Sequence, residues 1–150
     1  MAIPGWQKAE SPFHPGERAI QEKLGGRDRT ERQGRRMIRE FLPEQHQAFY
    51  RQLSYLLVGT VDAVGQPWAS ILVGVPGFIT APNDHTLRIT AHPLYGDPLT
   101  PQLTVGNDVG LLGIELHTRR RNRLNGVISR VDEAGFEVQV GQAFGNCPQY

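Results

Sequence analysis

VGLLGIELHTRRRNRLNG, residues 109–126, decides how this chain is read. The segment VGLLGIEL is apolar apart from Glu115, too short for a stable helix of its own, and reads as a buried strand. Four arginines then fall within five positions, at Arg119, Arg120, Arg121 and Arg123. Beyond them, RNRLNGVISRV (121–131), DEAG (132–135) and FEVQVGQAF (136–144) read as a strand, a turn and a strand. Short connections between consecutive strands imply antiparallel pairing.

Working outward, YLLVGTVD (55–62) and WASILVGV (68–75) flank the turn AVGQP and form a hairpin with Gly65 in the connection. TLRITA (86–91) alternates strictly: Leu87, Ile89 and Ala91 face one side, Arg88, Thr90 and His92 the other. HPLYGDPLTPQL (92–103) holds three prolines and a glycine and reads as a loop, with at most a short helix after Pro98. The sum is about six strands from residue 55 onward.

The N-terminal third is helical. Residues 1–14 lack periodicity and read as an arm anchored by Trp6 and Phe13. Pro15 suits the first turn of a helix carrying Ala19, Ile20 and Leu24 on one face and ending at Gly25-Gly26. In RDRTERQGRRMIREFL (27–42), Thr30 is placed as an N-cap, with Met37, Ile38, Phe41 and Leu42 at helical spacing and the arginines on a solvated face. Pro43 opens a third helix with Ala48, Phe49 and Leu53 in its apolar stripe. The expected fold is mainly β: a compact antiparallel barrel with peripheral N-terminal helices. We expect a single domain, divided into an arm with a short helix (1–29) and the barrel with its leading helices (30–150).

Composition sets limits. At 150 residues with net charge +1, the arginine cluster is a local concentration of charge and not part of a basic surface, which argues against nucleic acid. A basic oligonucleotide-binding barrel would need aromatics among its arginines, and 117–131 has none. No stretch approaches the roughly 20 apolar residues that span a bilayer. With no signal-like leader and one cysteine, Cys147, the chain is expected to be cytoplasmic. The five histidines, at 14, 46, 85, 92 and 117, form no i, i+4 pair, so no metal site is assigned. GVPGF and GLLG lack dinucleotide-binding spacing, no GxSxG occurs, and no base is evident beside Cys147.

In a strand, Arg119, Arg121 and Arg123 would aim three guanidiniums to one side. Such a row repels itself unless an anion sits within it, and phosphate suits guanidinium geometry. The plainer alternative is a solvated hairpin tip paired with nearby carboxylates. Asn125-Gly126 follows at once, and Gly126 would let a ligand or backbone approach closely.

WASILVGVPGF, TLRI, GDPL, VGLLGIELHTRRRNRLNG and FGNCPQY together resemble the pyridoxamine 5'-phosphate oxidase-like family of FMN-binding split barrels. Within it, the chain is most similar to the subgroup found as the N-terminal module of proteins that also carry a ferredoxin-reductase-like part. The resemblance covers nearly the whole chain, including SPFHPGE. It implies a six-stranded antiparallel split barrel of Greek-key type, a homodimer, and one FMN in each of two clefts between subunits. Cofactor contacts would come from Trp68, Ala69, Ser70 and Ile71 on the second strand, Thr90, Ala91 and His92 after the third, and Arg121, Arg123 and Asn125. An arginine near the pyrimidine end of the ring would stabilise the anionic reduced flavin.

The chain departs from the family in two places. Where family oxidases carry a basic stretch to grip the phosphate, this sequence has Tyr95-Gly96-Asp97-Pro98, and Asp97 would repel a phosphate. The phosphate would then fall to the 119–123 arginines or to backbone groups after Pro98. The substrate-phosphate motif of true pyridoxamine phosphate oxidases has no counterpart in FGNCPQY, so vitamin B6 oxidation is not expected. The end at Tyr150 is read as the edge of a module or truncation. The expected function is an FMN-dependent oxidoreductase, or the flavin module of one, exchanging electrons with a reductase or iron-sulfur partner and a small-molecule substrate. The alternative is a non-catalytic flavin- or haem-binding sensor or store.

Overall fold

The structure is a computed structural model that describes residues 4–146. Cys147 lies outside the described residues. Three helices, α1 (Pro15–Lys23), α2 (Arg27–Met37) and α3 (Glu44–Arg51), precede seven strands: β1 (Tyr55–Val61), β2 (Pro67–Val73), β3 (Ile79–Asn83), β4 (Thr86–Ile89), β5 (Asp108–Glu115), β6 (Arg120–Asp132) and β7 (Gly135–Asn146). All pairings are antiparallel and form one sheet in the order β2-β1-β5-β6-β7-β4-β3.

The strand count corrects the expectation of six. β3 carries no strand signal in the sequence, because Pro82 interrupts the run and Asn83-Asp84 closes it. Pro82 is tolerated because β3 is an edge strand that pairs only with β4. Among the described residues no ladder joins β2 to β3, so hydrogen bonding does not close the sheet.

β6 and β7 are the longest strands, and DEAG turns one into the other. Asp132 pairs with Gly135, and the Asp132 carboxylate accepts the Ala134 N–H at 3.0 Å. Gly135 sits at φ 149°, and a Cβ there would lie 2.0 Å from the Ile89 carbonyl, so only glycine lets β4 close on this turn. Arg88 completes the junction with two hydrogen bonds to Asp132, at 2.9 and 2.6 Å.

The core lies on one face of the curved sheet. Leu56, Val58, Leu72, Ile79, Leu87, Ile89, Leu111, Leu124, Ile128, Phe136 and Val138 alternate inward and are buried. Leu99, carried by the loop after β4, fills the same core. α3 contributes Phe49 and Tyr50, with Leu53 just beyond its end; a Cβ at Gly113 of β5 would come within 2.7 Å of Leu53 and 2.8 Å of Phe49. Ala48, expected in that stripe, is exposed, and His46 takes the inward position instead.

The arm, α1 and α2 lie on the opposite, outer face of β6 and β7. Gln142 donates to the Pro12 carbonyl at 2.7 Å, and Phe13 packs where a Cβ at Gly34 would stand. α2 begins at Arg27 behind Gly26, so Thr30 is a helix-interior residue and not its cap. Its arginines are not merely a solvated face: Arg27 and Arg35 both bind Glu31, which also accepts from Ser11. These bonds hold the Glu31 carboxyl below its usual range against the desolvation that would raise it. α1 starts in a capping box between His14 and Glu17, but Ile20 and Leu24 stay exposed, so its apolar face is left largely open among the described residues. No helix among the described residues is long and apolar enough to cross a membrane.

Candidate functional site

The four arginines of the opening stretch have three destinations. Residues 116–119 form the turn between β5 and β6, and Arg119 stands at φ 60°, at the exposed tip and outside the strand. The expected row of three guanidiniums is therefore a pair. Arg120 turns inward along the core edge, with its guanidinium carbon 4.8 Å from the Phe49 ring centroid and Nη2 donating to the Gln45 carbonyl at 3.1 Å. Arg121 and Arg123 project from the outer face, since Asn122 and Leu124 beside them are buried. Arg123 donates through Nε to Asn146 Oδ1 at 2.9 Å, which leaves its terminal nitrogens for an anion.

Strand register sets what accompanies them. Ile71 on β2 pairs with Leu57, Leu57 with Leu112, Leu112 with Arg123, and Arg123 with Phe144. At the usual strand spacing this row spans roughly 14 Å from Ile71 to Arg123. It is apolar and ends beside a guanidinium. The next row runs Ala69, Gly59, Gly110, Asn125, Gln142. Asn125 donates to Gln142 Oε1 at 3.2 Å. Five of the expected contact residues, Ala69, Ile71, Arg121, Arg123 and Asn125, thus share the outer face.

The remaining five fall elsewhere. Ser70 is buried on the inner face, where its hydroxyl donates to Asp97 Oδ1 at 2.5 Å. Trp68 stands at the open end of β2, half-exposed, with its indole N–H on Asp62 Oδ2 at 2.9 Å. Asp62 also accepts backbone N–H groups of its own turn, and these bonds, that of Trp68 foremost, pull its carboxyl below the usual range. Thr90, Ala91 and His92 come after the end of β4 at Ile89, which is shorter than the strand expected over 86–91. They belong to the loop that returns toward β2 and reaches it at the Ser70 to Asp97 bond.

Asp97 therefore has a structural duty. Its Oδ1 also accepts the Leu99 N–H at 2.8 Å, which seats Leu99 in the core. The loop after Pro98 holds only a three-residue 3-10 turn over Thr100–Gln102. That turn is too short for an anion-binding helix start, so a phosphate on this face would fall to Arg121 and Arg123.

An open groove of about 910 Å³ runs along the outer face. Its lining includes Trp68 and Asn125, both expected, together with Gly59, Gly110, Thr60 and two arm residues, Trp6 and Lys8. Sequence reasoning missed the last five. A signal was present in Gly59 and Gly110, each interrupting an apolar strand, a pattern that often marks space for a ligand or a close backbone.

A separate buried polar cluster lies beneath α3. His46, Tyr50 and Asn122 are at most 6% exposed, and His46 Nδ1, Tyr50 Oη and Asn122 Nδ2 have no hydrogen-bond partner among the described residues. Burial, with the charges of Arg39 and Arg120, pushes the His46 pKa down to about 4, so the ring is neutral near pH 7. Burial also pushes the Tyr50 phenol well above its usual range. Among the described residues no group of three or more His, Cys, Asp or Glu is placed to hold a metal ion.

No protein-family model matches the chain, and no curated protein matches its sequence. Among solved structures it is similar to a tagged variant of HupZ from Group A Streptococcus, with a TM-score of 0.51 at 14% identity over 70% of this chain and 99% of that one. That likeness is one of fold.

Proposed function

We propose that this chain is a split-barrel flavoprotein whose outer sheet face pairs with a second copy and holds FMN in the cleft so formed. The carrying observation is the row Ile71, Leu57, Leu112, Arg123: an apolar strip, partly open to solvent, that ends at a guanidinium. Along the same face Ile71 is 52% exposed and Val73 63%. Fully burying one such side chain is worth about 1.5–3 kcal/mol, so a partner sheet stabilises this surface where water does not. The Ser70 to Asp97 bond supports the barrel reading, because it ties β2 to the loop returning from β4 across the side that no ladder closes.

The donor set suits FMN. Arg121 and Arg123 offer charge to a phosphate or to the electron-rich end of the ring, and Ala69 and Ile71 offer apolar contact. FMN would supply hydride and electron transfer. The chain's own groups bind it, orient it and exclude water. An oxidoreductase, or its flavin module, would exchange electrons with a nicotinamide or iron-sulfur partner.

The test is comparative binding. Purified protein should be yellow, and Arg121→Ala or Arg123→Ala should weaken FMN far more than riboflavin, since a charge-assisted contact contributes about 1.5–3 kcal/mol. Equal losses for both ligands would remove the phosphate role. Bleaching under NADH or NADPH with recovery in air supports turnover; a bound flavin that never bleaches supports a store or sensor, and a Soret band supports haem.

A further inference from the structure

The segment Pro4–His14 has no regular secondary structure, yet it is held firmly. Arg35 donates from Nη1 to the Lys8 carbonyl at 2.8 Å and from Nη2 to the Ala9 and Glu10 carbonyls at 2.8 and 3.1 Å. Its Nε binds Glu31 at 2.8 Å, and its own carbonyl accepts the Trp6 N–H at 2.8 Å. The Trp6 indole donates to the Glu10 carbonyl at 2.8 Å. One planar guanidinium thus fixes three successive peptide units, which a lysine at that position could not do.

This arrangement holds one wall of the outer groove in place. Trp6 and Lys8 line one side, with the Lys8 ammonium 5.2 Å from the Trp6 ring centroid, and Pro67 and Trp68 also line the groove. Gly59 and Gly110, neighbours in register, supply floor. A Cβ on Gly59 would meet only the Gly110 carbonyl at 3.7 Å, and one on Gly110 only Asn125 Oδ1 at 3.5 Å. Neither packing nor backbone conformation demands glycine at these sites, and their missing side chains leave flat ground.

A second observation points to a ligand. Asn125 and Asn107 commit their amide nitrogens to Gln142 and to the Gln102 carbonyl, so their acceptor oxygens remain available. Acceptor oxygens over a flat floor with tryptophans at the sides match a planar heteroaromatic ring whose edge carries an N–H group.

We infer that the N-terminal arm completes the ligand site, with the ring of a flavin lying on the Gly59 and Gly110 floor against Trp6, and Arg35 acting as the positioning residue that fixes the arm. This inference rests on the flavin reading of the outer face. Asp108 and the acceptor oxygens disfavour a phosphate here, so the anionic end would extend toward Arg123, one row away on β6.

The experiment is a fluorescence titration with three probes: FMN, riboflavin and lumichrome, which is the ring alone. Gly110→Val, which fills the floor without entering the core, should weaken all three tenfold or more at unchanged Tm, while Arg123→Ala weakens FMN alone. Trp6→Ala and Arg35→Ala should weaken all three about three- to tenfold, and Arg35→Ala should also open the arm to trypsin at Lys8. Undiminished binding to Gly110→Val and Trp6→Ala overturns the inference and leaves the flavin reading intact. Equal wild-type affinity for all three probes removes the phosphate role but keeps the ring in the groove. A wild-type protein that takes up none of them ends the flavin reading, and the groove assignment with it.

Discussion

The two faces of one sheet have opposite fates. On the inner face Leu56, Val58, Leu72, Leu111, Leu124, Ile128, Phe136 and Val138 are no more than 2% exposed. On the outer face of the same sheet Ile71 is 52%, Val61 58% and Val73 63% exposed, and Arg121, Arg123 and Asn125 replace the leucines. The period of two sorts side chains into these sets residue by residue, so one strand builds the core with one side and presents an open surface with the other. The inner face is closed when the chain folds; the outer face keeps these side chains open to solvent.

That contrast can be broken at its strong side first. Leu124→Ala, with no exposure in the native state, should cost about 2–5 kcal/mol in urea unfolding. The neighbouring outer-face change Arg123→Ala should cost under about 0.5 kcal/mol. Comparable losses would mean that the two faces are not energetically distinct.

Ile71→Arg puts a charge in the centre of the exposed strip. The expected result is a dimer at least tenfold weaker by sedimentation equilibrium, with monomer unfolding nearly unchanged. An unaltered association constant would place the interface elsewhere.

Asp97→Ala removes the acceptor shared by Ser70 Oγ and Leu99 N–H, leaving a buried hydroxyl unpaired. A loss of about 1–3 kcal/mol is expected, with stability and not flavin affinity carrying the effect. If FMN binding tightened instead, Asp97 would be facing the phosphate after all.

A further effect is on acid stability. His46 is held neutral in the fold, with its pKa lowered from 6.5 to about 4, so the unfolded chain takes up the proton first. Its contribution is intact above about pH 6.5 and is lost as pH falls toward 4. Asp132, lowered from 3.8 to about 2, chiefly by its hydrogen bond from Arg88, adds stability that is present above pH 3.8 and fades toward pH 2. His46→Leu should flatten the first part of the acid slope and leave the second. A variant with the same slope as wild type would show that burial of His46 is not what sets it.

Much of this architecture was legible in the residues. The β5, β6 and β7 strands announce themselves through apolar runs, alternation and the DEAG turn, and the pairing of β1 with β2 through Gly65. β3 was hidden because Pro82 and Asn83 are loop residues everywhere except at a sheet edge. Thr30 resembled a cap because its side chain suits one, but α2 begins three residues earlier, where Gly26 ends the preceding connection. The arginine run was legible as charge, and not as geometry: whether Arg119 joins the row depends on where the hairpin turns, which its φ of 60° settles. The roles of Trp6, Lys8 and Arg35 in the groove could not be read at all, because the arm meets β7 only through contacts more than a hundred positions apart, such as Gln142 to Pro12.

The most direct test of the outer face as a cofactor-holding interface is sedimentation velocity of the FMN-loaded protein, followed in the visible flavin band. The visible boundary should move as a species of twice the 16.7 kDa chain mass. Flavin absorbance that sediments with a 16.7 kDa monomer, or that stays behind as free ligand, would contradict it.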